Sequence, residues 1–409
     1  MTFSFATKTK LTPKRLAIKL SAKGEQYVQK GHPWVFSESI IKISAAAKTG
    51  DLAIIFGKRK NGIIGIGLYD ANSPIRIKVI YSDSKSIQVN ADFFLRKIKE
   101  AYNKRRLLLQ THTTAYRLIF GENDGFPSLI ADVYSSVLVV KLYSEIWLPY
   151  LETILESLIK TSGCETVVMR LSRGLQQSNT HHLYDGEVVY GTLDHDVVPF
   201  VEHGVNFSAN VIKGHKTGYF LDHRANRRQV GLLCKDKRVL DVFSYAGGFS
   251  VHALANGAKE VTSLDISAQA LEIAVQNGQL NEYKGKHMTL AGDAFKILEE
   301  LIFDHKKFDV VVIDPPSFAK QQSDIQLAAK KYKQLARLGE KLTDKGGLLV
   351  LASCSSRMTS TLFFETNMLT LKSTKRPFCV EQETTHDIDH PIGFPEGAYL
   401  KSGYYRFQD

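Results

Sequence analysis

Arg238-Val-Leu-Asp-Val-Phe-Ser-Tyr-Ala-Gly-Gly-Phe-Ser250 is the stretch whose reading decides the fold. Residues 239–242 are apolar except for Asp241, as the end of a buried parallel strand requires. The run breaks at Phe243 to Gly248, and helical apolar spacing starts at Phe249 with Val251, Leu254 and Ala255. A strand that turns over glycines into a helix makes a nucleotide-binding corner. Gly247 and Gly248 allow close backbone approach, and the helix N-terminus presents unpaired N–H groups. Twenty-four residues after Asp241, the run Val261-Thr-Ser-Leu-Asp265 predicts a second strand that ends in an acid, where a doubly wound sheet holds a ribose diol.

The corner lacks the G-x-G-x-x-G of dinucleotide folds, because Asp241-Val-Phe243 takes its place. An acid there would repel a pyrophosphate. It suits a ligand with a cation near the loop, such as the amino group of S-adenosylmethionine.

Outward from this corner, alternating patterns predict strands at 239–242, 261–265, 288–290, 309–313 and 347–352. Helices are predicted at 249–257, 267–281, 294–303, 322–343 and 358–370, with another reaching Leu233 before them. Strands alternating with helices mean a mainly parallel, doubly wound α/β sheet whose ligands sit at the strand C-termini. Five polar clusters fall at those ends. They are Asp241 to Gly248, Asp265-Ile-Ser267, Gly292-Asp-Ala-Phe295, Asp314-Pro-Pro-Ser-Phe318 and Ser353-Cys-Ser-Ser356. The carboxylate of Asp293, beside Ala294, suits an exocyclic amine such as that of adenine.

The N-terminal region reads differently. Residues 12–80 predict about five short strands, with a basic turn at Lys58-Arg-Lys-Asn-Gly62 of the kind that closes a hairpin. Residues 91–110 have helical spacing. The segment 116–132 predicts two strands about the polar turn Glu122-Asn-Asp-Gly125, for which a plain turn is the better reading. A strand at 137–142, a helix at 146–158, a strand at 166–171 and a hairpin from 187–193 and 197–205 complete a mixed α/β segment. The domain reading is therefore a β-barrel over 1–83, a central α/β domain over 84–205 and the doubly wound domain over 206–409.

Composition fits a folded chain: 409 residues, 44% apolar and 23% charged. No run of 18 uncharged apolar residues exists, and residues 1–23 lack a signal peptide's apolar block, so a cytoplasmic protein without a membrane partner is expected. Four dispersed cysteines (Cys164, Cys234, Cys354, Cys379) form no C-x-x-C pair, and His181-His182 reads as a solvated pair; no metal site is expected. The net charge of +11 is uneven. Residues 1–80 hold 14 Lys/Arg against 4 Asp/Glu, a difference of +10, which points to a polyanionic partner.

Gly31-His-Pro-Trp-Val-Phe36, the Gly-x-Gly-x-Tyr at 65–69 and the strand expected at 75–80 resemble the PUA module, an RNA-binding barrel. The five strand-end clusters resemble the class I S-adenosylmethionine-dependent methyltransferases, which carry a Rossmann-like sheet. Nearly end to end, the chain is similar to a narrower group, the PUA-containing ribosomal-RNA methyltransferases of the RlmI-like family, which modify cytosine C5 in large-subunit rRNA. The marks, in order, are Gly31-His-Pro-Trp34, Glu122-Asn-Asp-Gly125, Gly218-Tyr-Phe-Leu-Asp-His-Arg224 and Asp241-x-Phe-Ser-Tyr-x-Gly-Gly-Phe249. Then come Asp314-Pro-Pro316, Ser353-Cys-Ser355, Asp389-His-Pro391 and Pro395-Glu-Gly397.

This resemblance implies S-adenosylmethionine as cofactor, held by Phe220, Asp222, Arg224, Asp241, Phe243, Ser244, Tyr245, Gly247, Asp265, Ile266, Ser267, Asp293, Ala294 and Asp314. It implies 23S rRNA, or a large-subunit assembly intermediate, as partner; whether the chain forms a homodimer stays open. C5 of cytosine is a poor nucleophile until a thiolate adds to C6, so Cys354 is the expected nucleophile and Asp314 the residue at the base edge. Many RNA cytosine-C5 methyltransferases carry a second cysteine after Asp-x-Pro, where this chain has Pro316-Ser317. Asp-Pro-Pro followed by Phe318 also resembles enzymes that methylate a guanine nitrogen. A third reading is an RNA-binding assembly factor that holds the cofactor without turnover.

Overall fold

The computed structural model describes residues 1–5, 12–57, 62–83, 87–178, 183–319 and 321–409. Most of the basic turn expected at 58–62, and the His181-His182 pair, lie outside the described residues. The chain divides into two compact units that do not follow chain order. One comprises Met1–Val201, Ser208–Leu221 and Ile388–Gly397; the other comprises Glu202–Phe207, Asp222–Asp387 and Ala398–Asp409.

In the first unit, a six-stranded sheet runs Trp34–Phe36, Ile75–Tyr81, Ile63–Tyr69, Leu52–Phe56, Arg15–Leu20 and Ile40–Ile43. Alternation along Arg15–Leu20 buries Leu16, Ile18 and Leu20 and leaves Arg15 and Lys19 outside. Lys19 stands directly across from Lys42. A helix, Ala22–Gln29, was not legible in AKGEQYVQ, which carries one strong aliphatic residue and a glycine. It is started by Ser21, whose hydroxyl accepts the Gly24 N–H at 3.2 Å.

A five-stranded sheet follows: Glu187–Tyr190, Thr166–Leu171, Val137–Leu142, Leu129–Tyr134 and Ala115–Phe120. Two expectations need correcting here. Glu187–Tyr190 pairs with Thr166–Leu171, while Val197–Glu202 pairs with Val205–Asn210, so there is no hairpin between 187–193 and 197–205. The helix expected over 146–158 is split at Pro149 into a 3-10 turn, Glu145–Tyr150, and a helix, Leu151–Ser162. Leu52, Ile66, Leu68 and Ile80 of the first sheet share one apolar core with Phe93, Phe94, Phe126 and Trp147.

Four of the sequence marks meet in this unit as staples. Trp34 Nε1 donates to Glu122 at 3.2 Å, and His32 Nε2 lies 3.4 Å from Glu396. Asn123 Oδ1 accepts the Gly393 N–H at 2.7 Å. Fully buried Arg105 grips both oxygens of Asp124 and the Asp389 carbonyl. Glu122-Asn-Asp-Gly125 is thus a turn held by partners, closed by Gly125 at φ 73°.

The second unit is built on seven strands in the order Lys286–Ala291, Glu260–Asp265, Arg238–Val242, Phe308–Ile313, Thr343–Ser353, Lys401–Phe407 and Phe378–Thr384. The first five are parallel, and Lys401–Phe407 is antiparallel to both of its neighbours, Thr343–Ser353 and Phe378–Thr384. Helices Gly248–Ala255, Ala268–Gln279, Ala294–Phe303, Ile325–Leu342 and Ser360–Ser373 alternate with the strands. Two apolar clusters form on this frame, one around Leu240, Val242, Val311, Ile313 and Leu349, the other around Val239, Val261, Val310, Val312 and Val350. That is the doubly wound Rossmann-like sheet expected from the sequence. Among the described residues no helix is long and apolar enough to cross a membrane.

Candidate active site

The parallel register sets the strand ends side by side: Val242 is level with Leu264 and Ile313, and Ile313 with Leu351. Every polar cluster that follows therefore opens on the same edge of the sheet. At the central strand the chain turns through Phe243 at φ 65° and Tyr245 at φ 49°, left-handed conformations that cost a non-glycine residue about 1–2 kcal/mol each. The neighbouring strand end holds them: the Ser244 N–H donates to the Leu264 carbonyl at 3.0 Å, and the Tyr245 N–H to Asp265 Oδ2 at 2.9 Å. Gly247, at φ 77°, has no room for a side chain, since a Cβ there would stand 2.7 Å from that of Ala274.

Asp241 is buried at the root of this turn. One oxygen accepts the Ser250 N–H (3.0 Å) and hydroxyl (2.6 Å); Ser250 continues through Ser263 to His287 Nε2. The other oxygen is buried and, among the described residues, has no partner, and the same holds for the Ser244 hydroxyl. Burial pushes the Asp241 carboxyl up to about 7, and the charges of Asp314 and Asp265 add to that. An acid-rich corner with an unpartnered buried carboxylate oxygen fits a ligand that brings a positive charge, and so fits S-adenosylmethionine.

The next two strand ends are shaped by their own side chains. Asp265 takes the Tyr245 N–H on one oxygen and the Ser267 N–H on the other, at 2.9 Å each. Ser267 caps the following helix through Ala270 N, and Ile266 is 76% exposed beside it. Asp293 caps the helix Ala294–Phe303 through Lys296 N at 3.1 Å, with Ala294 buried behind it.

Asp314 and Cys354 come together across adjacent strand ends. The Asp314 N–H donates to the Val242 carbonyl at 3.3 Å, and Cys354 Sγ lies 3.9 Å from the Pro315 carbonyl. Cys354 is half-buried, while the serines beside it are buried with their hydroxyls engaged. Ser353 Oγ meets Tyr332 OH at 2.8 Å, and Ser355 Oγ donates to the Ala319 carbonyl at 3.1 Å. Phe318 is edge-on to Tyr332 at 5.3 Å, with Lys331 Nζ 4.8 Å from its ring centroid.

His223 was not singled out in the sequence, although it lies inside the mark that ends at Arg224. Its Nε2 stands 3.3 Å from Asp314 Oδ2. Burial opposes a charge on this imidazole, but the adjacent Asp314 carboxylate outweighs it and raises its pKa. Tyr332 was also missed, because a tyrosine within an amphipathic helix carries no local signal.

Three residues of the same mark are placed as follows. Asp222 Oδ2 accepts the Tyr399 hydroxyl at 2.8 Å, Arg224 is fully buried with Nη1 2.9 Å from Asp387, and Phe220 belongs to the first unit. Cys164 and Cys234 are buried and Cys379 is exposed. Among the described residues no group of three or more side chains is arranged to hold a metal ion.

The model of the S-adenosylmethionine-dependent methyltransferase family matches residues 116–374, and that of the PUA-like domain matches residues 18–81. A ribosomal RNA large subunit methyltransferase of Deinococcus radiodurans is 38% identical over 395 residues, covering 95% of this chain and 96% of the relative. A ribosomal RNA large subunit methyltransferase I of Tolumonas auensis is 34% identical over 388 residues, 92% of this chain and 96% of its own length. Among solved structures, one described as "a putative methyltransferase complexed with SAH" superposes with a TM-score of 0.79 at 20% identity. That alignment covers 96% of this chain and all of the other.

Proposed function

We propose that this chain, which belongs to the S-adenosylmethionine-dependent methyltransferase family and carries a PUA-like domain, methylates C5 of a cytosine in large-subunit ribosomal RNA. The observation that carries the reading is the half-buried thiol of Cys354 beside Asp314-Pro-Pro316, flanked by serines whose hydroxyls are engaged elsewhere. In this reading the three sequence segments divide the work. Residues 1–83 grip the RNA, 84–205 support them, and 206–409 hold cofactor and base, in a cytoplasmic enzyme acting on 23S rRNA or an assembly intermediate.

The cofactor brings an electrophilic methyl group on a sulfonium. Asp241 and the turn from Phe243 to Gly247 would face its cationic part, Asp265 the ribose diol, and Asp293 with Ala294 the adenine. Cys354 Sγ adds to C6 of the cytosine, and the ring then carries its electron density at C5, the atom that takes the methyl. Transfer would leave the methyl donor as a neutral thioether; the C5 proton then passes to solvent and the Cys354 sulfur leaves C6, which restores the aromatic ring and the thiolate. Asp314, held by His223, faces the base edge.

Methylation of a guanine nitrogen would need Phe318 as a stacking platform, and its ring is already engaged by Lys331 and Tyr332. Tritium release from rRNA labelled at cytosine C5 tests the proposal. Release equal to methyl incorporation is expected; incorporation without release means a nitrogen is the acceptor.

A further inference from the structure

Lys401 opens the strand Lys401–Phe407 and sits directly opposite Ser353 in the antiparallel ladder. Its side chain is buried. Nζ donates to the Ser355 carbonyl and, at 3.0 Å, to the Tyr399 carbonyl. Those two acceptors use two of the three ammonium N–H groups and leave one for an anion. An ammonium taken out of water needs a counter-charge, or it gives up its proton. Among the described residues Lys401 forms no ion pair with a carboxylate. Burial pulls its pKa down to about 8, and the influence that opposes this is the charge of Cys354.

We propose that Lys401 is the buried counter-charge of the Cys354 thiolate, a positioning residue that keeps the sulfur anionic for its attack on the pyrimidine ring. This rests on the reading of Cys354 as the nucleophile. The anchor is geometric: Nζ is tied to the carbonyl of Ser355, the residue directly after the thiol. Titratable groups near Cys354 come from several elements. Asp314 follows the strand Phe308–Ile313, Tyr332 lies on the helix Ile325–Leu342 and reaches Ser353, and Lys401 comes from the adjoining strand. Asp314 and an ionised Tyr332 would both oppose a thiolate, and His223 beside Asp314 offsets the former. Lys401 is the buried ammonium beside the residue that follows the thiol. When the thiol ionises, its proton passes to solvent and the ammonium keeps its own, so the two titrations are coupled.

The test is the pH dependence of Cys354 alkylation by iodoacetamide. It is followed by mass spectrometry of the Cys354 peptide in the full chain with the exposed Cys379→Ser. The wild-type midpoint is expected at least one pH unit below the ~8.5 of a free thiol. Lys401→Gln and Lys401→Met should raise it by one unit or more, and Lys401→Arg should keep it low. Calorimetry with S-adenosylmethionine identifies which variants remain folded. A wild-type midpoint at or above ~8.5, or an unchanged midpoint in folded Lys401→Gln, overturns the proposal; the first holds even if no variant folds. Cys354→Ala that still methylates contradicts the nucleophile reading, while a low wild-type midpoint then leaves the ion pair standing.

Discussion

Asp241 is a buried carboxyl whose proton couples stability to pH. Its pKa in the folded chain is pushed up to about 7 by burial, against ~3.9 for a free aspartate. The folded state therefore holds a proton that the unfolded state has lost. Stability from this group is complete below about pH 4 and falls away as pH rises through about 7. Asp241→Asn keeps an acceptor for Ser250 and removes the charge. We expect thermal melts without cofactor to show the variant more stable than wild type at pH 8, with the gap closing towards pH 5. S-adenosylmethionine should bind it more weakly by calorimetry. Parallel melting curves from pH 5 to 8 would place the proton elsewhere. Asp241 was legible in the sequence because it interrupts an apolar strand before paired glycines. Lys401 was not: a lysine in Lys-Ser-Gly-Tyr-Tyr-Arg-Phe reads as exposed, yet that strand is almost wholly buried.

At the scale of elements, the helix Arg224–Leu232 is tied to its unit by a buried ionic knot. Arg227 makes two hydrogen bonds to Glu202, at 2.7 and 2.6 Å, and His252 Nε2 lies 2.9 Å from the same carboxylate. Burial alone would raise the Glu202 pKa, but Arg227 and then His252 outweigh it and hold it well below the usual range. Glu202→Gln strands a buried guanidinium and should cost about 3–5 kcal/mol in urea unfolding at pH 7. The loss should shrink as pH falls below the usual glutamate pKa, because the stabilisation from a depressed carboxyl is complete above the unfolded value and disappears progressively towards the folded one. A change below 1 kcal/mol would mean that water already screens the pair. The parallel strands were legible because their apolar runs end at acids and glycines. The last two strands of the sheet, Lys401–Phe407 and the edge strand Phe378–Thr384, were not. Phe378–Thr384 is largely polar and only partly buried, and Lys401–Phe407 buries polar groups against its neighbours, so hydropathy misreads both.

At the scale of the whole molecule, the excess charge has a place as well as a sign. Lys19 and Lys42 face each other on exposed positions of neighbouring strands, a pairing that repels in water and that a bound phosphate would relieve. Removing the first 85 residues would open the core that Leu52, Ile66 and Leu68 share with Phe93 and Phe94, so substitution is the cleaner probe. Lys19→Ala with Lys42→Ala should leave cofactor affinity intact and make the salt dependence of rRNA binding shallower by about 1–2 in log–log slope. An unchanged slope would confine that face to solubility. The chemistry attributed to the molecule depends on one bond, from Cys354 to C6 of the base, and a trap reads that bond directly. Target rRNA carrying 5-fluorocytosine cannot lose the C5 substituent as a proton, so with S-adenosylmethionine present the wild-type chain should become covalently attached and migrate as a protein–RNA adduct in denaturing gels. Cys354→Ala should bind the cofactor, form no adduct and methylate nothing. Full methylation by Cys354→Ala, with no adduct from wild type, would contradict the account.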